Sequence, residues 1–592
     1  MNKLRAILII FAITFRTTQL AGAGQDRHEI EVLGMKIPFR EDPRRDMIVI
    51  EGEVLRRLPA VQIAELVALA ANMNFTVRGM FQADPQMQGF NQEQIAVLVD
   101  GIPVANAQTG HHNFLLPVAA DDIARIEVLR GGFSSRFGTS GGGGQVNIIT
   151  AAGNRLSLRR SSFRTTDVSA SAGSETLRAA AGFTDTAGYA DGLDGRRAFA
   201  RAGGRLTGLA SFLDVQAGFV GARFGAANFY GPYPSAEEVS RFLGALSGGT
   251  RLSASLMGNF QISGQASRDD FRLDRRDPEK YRNLHDTRQA SAEASIRGTG
   301  RAFDYSAGIV STWDEIESGG IRAGLSVPAL GRHRRLFHSF RAAAGREAGD
   351  WSWRAGIDAG FGDYRGWGGS LVLGRSWGTN VRLAGSVSRT YRVPTYTELY
   401  YADPIHLSDS SLKPERTDSA SLSAGGILGA LSWGCRLFSN RTRDLIDWTR
   451  PLNGEIWKAA NICGGSFGGI DLHGEIRKGK FQARVLYTYQ KTRFVAGPEA
   501  AALKYHYYFP DHCLSLIALG ESGVWSGSVA LKIEREETSG RVRPYLGGRL
   551  RRTMGRFEIF ADLQNLFNQR VEKIPGLPEA PRAVGLGLGF AF

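Results

Sequence analysis

The chain has 592 residues, 74 of them glycine and only 20 proline, with 10% aromatics and a formal charge of 72 − 58 = +14. That length exceeds a single ordinary globular core, and glycine without a G-X-Y period excludes collagen. A mean hydropathy of −0.19, with no apolar run near the roughly 18 residues of a spanning helix beyond the first twenty, excludes a helical membrane protein. Only 11 of the basic residues are lysine, but no arginine-rich block or zinc knuckle accompanies the charge, so nucleic acid is not implied.

Residues 1–23 have the order of an export signal. Lys3 and Arg5 precede the apolar stretch Ala6 to Ile13, and Ala21-Gly22-Ala23 fits the small-x-small cleavage rule. Removing Lys3, Arg5 and Arg16 lowers the charge to about +11, the balance expected to meet lipid phosphates, which arginine binds in a fork. Residues 24–46 form an extension carrying the extended-propensity run Glu29-Ile30-Glu31-Val32-Leu33-Gly34.

Residues 47–150 read as a small α/β domain. Pro59 to Ala70 predicts a helix with Pro59 in its first turn. Ile95 to Val99 predicts a buried strand ending in the turn Asp100-Gly101. Asp121 or Asp122 is placed to cap a short turn before the strand Ile126 to Leu129, and Gln145 to Thr150 is a further strand. The run Gly141 to Gly144 lacks the lysine and helix pattern of a phosphate cradle, so a tight loop is expected there.

Residues 151–592 alternate with period two, the signature of strands. From Arg251 to Ser267 every even position is apolar or glycine, and only Met257 interrupts the polar odd set; the run reads as one long membrane strand. Leu213 to Phe219, Ala290 to Ile296 and Val381 to Val387 alternate similarly. The last strand sets Val584, Leu586, Leu588, Phe590 and Phe592 on one face and Gly585, Gly587, Gly589 and Ala591 on the other. Only a closed barrel leaves no sheet edge unsatisfied in lipid. The 442 residues divided over 22 strands leave about 20 for each strand with its turns, which suits membrane strands of 9–11 residues. The expected fold is therefore all-β: a 22-stranded antiparallel transmembrane barrel at 151–592, with the small α/β domain at 47–150 plugging its lumen.

No catalytic constellation survives, so an enzyme is not expected. Gly464-Gly465-Ser466-Phe467-Gly468 has the spacing of a nucleophile elbow but lacks a strand-to-helix context. Cys435, Cys463 and Cys513 cannot all pair, and no C-x-x-C occurs.

Val97 to Asn113 (VLVDGIPVANAQTGHHN) and Ile123 to Thr150 (IARIEVLRGGFSSRFGTSGGGGQVNIIT) resemble the plug of TonB-dependent outer-membrane receptors. Val77-Arg78-Gly79 and Gln88-Gly89-Phe90 lie where that family carries arginine-glycine turns, with Gln88 in place of an arginine. Ser386 to Pro404 (SVSRTYRVPTYTELYYADP), Ser411 to Arg416 (SLKPER) and Phe560 to Pro578 are similar to the family's barrel signatures. Phe224 to Glu238, Arg275 to Ile296 and Asp444 to Trp448 resemble its cobalamin-receptor branch, from which Ala226-Ala227-Asn228 departs.

The resemblance implies an outer-membrane receptor that imports a scarce, large nutrient. Cobalamin or a related corrinoid is the leading cargo and a ferric siderophore the alternative; a passive pore or an outer-membrane enzyme is remoter. It implies energy from TonB and its inner-membrane complex, which pairs with an extended segment by strand addition; Glu29, Ile30, Glu31, Val32 and Leu33 are the candidate box. Outer-membrane lipid and lipopolysaccharide would surround the barrel, and a periplasmic binding protein would accept the cargo. No cofactor or resident metal is expected. Gln108, His111, His112 and Asn113 are candidates for ligand contact at a plug apex. Adjacent histidines suit a transition metal, but no carboxylate lies in the same stretch. Phe229, Tyr230 and Tyr233, with Phe224, are candidates to line a cargo site, or else belong to an interfacial aromatic girdle.

Overall fold

The computed structural model describes residues 47–60, 62–131, 142–174, 176–378, 380–451, 454–495, 502–504, 509–536 and 539–592. The expected export signal, its expected boundary near residue 23 and the candidate box at 29–33 lie outside these residues.

The N-terminal domain is built on a five-stranded sheet with strand order Met47–Glu51, Ile123–Arg130, Gly144–Thr150, Ile95–Val99, Ile102–Pro103. Its central pair, Ile95–Val99 and Gly144–Thr150, is parallel and fully buried, which explains the unbroken apolar runs. A helix spans Ile63–Ala70, shorter than expected. Its start is set by a capping box between Gln62 and Glu65, which satisfies the first free N–H groups. Pro59 stays outside it, and its carbonyl instead accepts from Gln564 of the barrel at 2.8 Å. A second helix, Gly52–Arg57, carries too little apolar pattern to read in advance. Ala120–Asp122 forms the expected short turn, but neither aspartate caps it; Asp122 takes a two-pronged bond from Arg201 of the barrel.

From Arg155–Ser161 to Ala583–Ala591 the chain winds through 22 antiparallel strands, and the last pairs with the first to close the barrel. The end bearing Phe592 has tight connections such as 254–255, 349–350 and 479–480. The opposite end carries longer ones, including 226–235, 393–414 and 444–463. Short turns on one side and long loops on the other are the habit of outer-membrane barrels, in which the long loops face outward. Strands reach 24 residues at Leu325–Ala348, well beyond the 9–11 that cross a bilayer, so their outer halves stand above it.

The alternation decides which face meets lipid. Leu586 is 62% exposed while Gly585, Gly587 and Gly589 point inward and are buried. The inward glycines make room for wall side chains: a Cβ on Gly587 would fall 2.1 Å from the Phe560 ring, and one on Gly585 would fall 2.9 Å from Arg159. The run Arg251 to Ser267 is not one strand. It crosses a turn at 254–255 between the strands Ala236–Ser253 and Leu256–Arg272. Its even positions nevertheless stay outward, because a bulge between Arg251 and Ser253 shifts the register by one. Without that bulge the two-residue turn would have reversed the parity.

Domain and barrel share one core. Leu243, Phe467, Ile517, Leu519 and Ala530 of the wall belong to the same buried cluster as Ile50, Leu66, Val97 and Ile148. Gly89 shows how closely the two approach: its φ is +88°, and a Cβ there would lie 2.0 Å from Phe467. Part of the arginine excess serves the interior rather than lipid phosphates, as in the buried pairs Arg335–Asp314 and Arg159–Asp562. The three cysteines are free thiols.

Candidate functional site

The polar side chains singled out in the sequence gather where the segment 104–113 climbs between plug and wall. The hairpin turn Asp100-Gly101, both residues at positive φ, ends the sheet and launches this segment. Lacking a strand partner, its carbonyls turn to the barrel, since buried backbone groups must be paired. Val104 accepts from Arg241 at 3.0 Å, Ala105 from Gln265, Ala107 from the Tyr396 N–H at 2.9 Å, and Gln108 from the Thr397 N–H at 3.2 Å.

Three ionic groups line this seam. In the first, Arg78 donates to Asp84 at 2.9 Å and to the Phe229 carbonyl at 2.7 Å. Nδ1 of His111 lies 3.0 Å from both Asp84 oxygens. The Arg78 guanidinium also sits 5.3 Å from the Tyr230 ring centre, and Gln82 donates to the Tyr230 hydroxyl at 3.1 Å. Burial alone would raise the Asp84 pKa, but His111 and Arg78 together hold it below the usual carboxylate range. Burial pushes His111 down despite that carboxylate.

In the second group Nε2 of His112 stands 3.5 Å from Glu237 and 3.7 Å from Asp269. Gln108 donates to Asp269 at 2.8 Å. Burial opposes charge on His112, which is 2% exposed, yet the two carboxylates outweigh it and push its pKa up to about 10.

The third group explains the motifs at Ser386 to Pro404 and Ser411 to Arg416. Arg392 bridges Glu398 and Glu415 with four bonds of 2.8–2.9 Å, and Gln94 of the plug donates to Glu415 at 2.9 Å. Thr395 and Glu398 form the capping box of the short helix Tyr396–Tyr400, so one glutamate both starts the helix and holds the arginine. Glu93 of the plug accepts from the Gly110 N–H at 2.8 Å; burial first, then the nearby Glu398, raises its pKa.

Gln108, His111, His112 and Asn113 thus come together, but not at an open apex: all four are buried against barrel strands or the rest of the plug. Asn113 donates to the Gln92 carbonyl at 3.4 Å. Phe224 and Phe229 are buried inside and pack against Phe81 and Leu193, so they are not girdle residues. Tyr230 is half-buried beside Arg78, and Tyr233 is exposed on the loop 226–235. Ser466 lies on the strand Gly464–Lys478, its neighbour Phe467 packed on Phe90, with no turn into a helix.

Sequence reasoning passed over Asp84, Glu93, Glu237 and Asp269, whose partners are distant in the chain. It also passed over an outer tier. A five-stranded sheet of Ala402–Asp403, His406–Leu407, Trp457–Ile462, Leu445–Arg450 and Ala502–Leu503 covers the long-loop end. There Tyr400 stacks on His333 with centroids 3.5 Å apart, and Tyr401 meets Trp448 edge-on. The doubled tyrosine after the Arg392 motif was the available signal. At the short-turn end a cavity of about 410 Å³ opens between Met47–Val49 of the plug and a wall that includes Arg436, His473 and Arg484.

Comparison with known proteins agrees with this architecture. Residues 41–145 match the TonB-dependent receptor plug domain, and residues 120–563 match the TonB-dependent receptor-like β-barrel. The vitamin B12 transporter BtuB of Vibrio cholerae is 35% identical over 141 residues, covering 24% of this chain and 20% of that protein. BtuB of Vibrio vulnificus is 28% identical over 149 residues, covering 23% and 22%. The chain thus aligns with about a fifth of the length of these curated relatives. Among solved structures, the copper transporter OprC superposes with a TM-score of 0.76 at 14% identity, over 92% of this chain and 100% of that one. The FrpB iron transporter of Neisseria meningitidis gives 0.77 at 12% identity, over 93% and 100%. The PfeA ferric enterobactin receptor of Pseudomonas aeruginosa gives 0.75 at 15%, over 92% and 99%. With a barrel model that covers most of its length and a plug model that overlaps its start, the chain belongs to the TonB-dependent receptor family.

Proposed function

We propose that the protein is an energy-coupled outer-membrane importer of a scarce nutrient too large for diffusion pores, with cobalamin or a related corrinoid as its cargo. The observation that carries this reading is the shared core of plug and wall. A lumen filled in this way passes nothing of that size until the plug shifts or loosens, and that movement needs work. No G-x-x-x-x-G-K-[ST] occurs in the chain, so the work is supplied from outside, through TonB pairing with the segment at 29–33. The seam of Arg78, Glu237 and Arg392 holds the closed state in the meantime. The cargo assignment is supported by the stretch shared with the B12 transporters and by the motifs at 224–238 and 275–296.

Titration of the purified receptor with cyanocobalamin and with ferric siderophores tests the cargo. Saturable cobalamin binding at micromolar concentration or below is expected. Siderophore binding without cobalamin binding would replace the cargo with an iron chelate, the ligand class named for the PfeA receptor. Deleting residues 29–34 is expected to abolish uptake and leave binding intact; uptake that survives would refute the coupling segment.

A further inference from the structure

His112 of the plug, Glu237 of the strand Ala236–Ser253 and Asp269 of the strand Leu256–Arg272 each bring one ligand atom within 4.8 Å of the others. All three are buried, at 2%, 4% and 3% exposure. We infer that these residues form a site for a divalent first-row transition-metal ion that clasps the plug to the barrel wall. This inference is independent of what the receptor imports.

The donor set is one imidazole and two carboxylates, which suits zinc, manganese or iron(II) rather than the soft ions that favour sulfur. Bonds of about 2.1 Å place tetrahedral ligand atoms about 3.4 Å apart. Nε2 of His112 already lies 3.5 and 3.7 Å from the two carboxylates, so small movements would complete the site.

A second observation points the same way. Oε2 of Glu237, Oδ1 of Asp269 and Oε1 of Gln108 are buried and have no hydrogen-bond partner among the described residues. Orphaned buried acceptors cost free energy and call for an explanation. A proton on His112 balances one carboxylate and leaves these acceptors unserved. A divalent ion balances both carboxylates and can engage the free oxygens. Gln108, whose amide nitrogen already holds Asp269, has its oxygen available as a further ligand.

The ligands come from both halves of the molecule, so the ion would act as a removable cross-link. His112 lies on the segment whose carbonyls are bonded to the barrel at Val104, Ala105, Ala107 and Gln108. Metal would therefore add its restraint where plug and wall are already joined.

The test uses the full receptor in detergent, stripped with a chelator and then equilibrated separately with zinc and with manganese. After desalting, elemental analysis is expected to find about one ion per chain with at least one of the two. Glu237→Gln, Asp269→Asn and His112→Gln should each weaken that binding tenfold or more, while Asp418→Asn, at a half-buried pair on a distant strand, should not. A heat-dependent shift in gel mobility identifies variants with an intact barrel. Hydrogen exchange over residues 104–113 should slow on adding metal to the wild type but not to Asp269→Asn. Failure of both ions to bind stoichiometrically, or retention of metal by folded Glu237→Gln and Asp269→Asn, would overturn the inference.

Discussion

The lipid-facing wall and the plug–barrel seam obey different rules. On the wall a residue's role follows from parity: Leu586, Leu588 and Val584 face out because they alternate with Gly585, Gly587 and Gly589. Their surroundings are uniform, so neighbours hardly matter. At the seam parity says only that a side chain points inward. What Glu415 does depends on Arg392 across the sheet and on Gln94, which is 321 residues away in sequence. The wall tolerates exchange within a class, whereas the seam requires particular partners.

The largest effect is expected at Arg392. Replacing it with alanine leaves Glu398 and Glu415 buried without their cation, and breaking a buried pair from one side costs about 3–5 kcal/mol. Thermal unfolding should move well down, and restoring the charge with Arg392→Lys should recover only part because the fork is lost. An unchanged transition would show that the seam is as tolerant as the wall.

Next in size is a charge placed on the wall. Leu586→Arg should cost about 2–4 kcal/mol near the bilayer midplane, read as loss of folded barrel in vesicles. Leu586→Ile should have no measurable effect. If the two behave alike, Leu586 does not face lipid.

Gly89→Ala should cost roughly 1–3 kcal/mol through its positive φ, with more from contact with Phe467. Combining it with Phe467→Leu should give less than the sum of the two losses, since they share one contact. Strict additivity in unfolding experiments would separate Gly89 from that ring.

The smallest effect is a pH dependence centred on Asp84. Its folded pKa is depressed by His111 and Arg78, below an unfolded value of about 3.9. The stabilisation is therefore complete above about pH 4 and disappears as pH falls through the folded value. Hydrogen exchange in residues 74–86 should accelerate over that window, and Asp84→Asn should remove this part of the dependence.

The barrel and the inserted domain were legible because lipid imposes a two-residue period and a minimum span on each strand; the 442 residues from 151 to 592 accommodate 22 such strands. The long run at Arg251 to Ser267 shows where that reasoning misleads: the bulge at the turn restores parity, so two strands look like one. The motif residues Arg392, Glu398 and Glu415 were visible as a pattern but not as a mutual contact. Gln108, His111, His112 and Asn113 were visible as a polar cluster, yet they were expected at an open apex. Their burial comes from barrel strands, which meet Gln108 and His112, and from distant parts of the plug, which meet His111 and Asn113; nothing within the segment 104–113 encodes either.

The sequence by itself therefore determined the class of fold, the inward and outward faces, and the family motifs, since each depends on local periodicity or short spacing. Only the tertiary structure decided which inward charges meet. Closing a 22-stranded sheet around a separate domain juxtaposes His112 with Glu237 and Asp269, and Gln94 with Glu415. The physical reason is that a buried charge must find a partner in space, and the circumference of the barrel sets which one it finds.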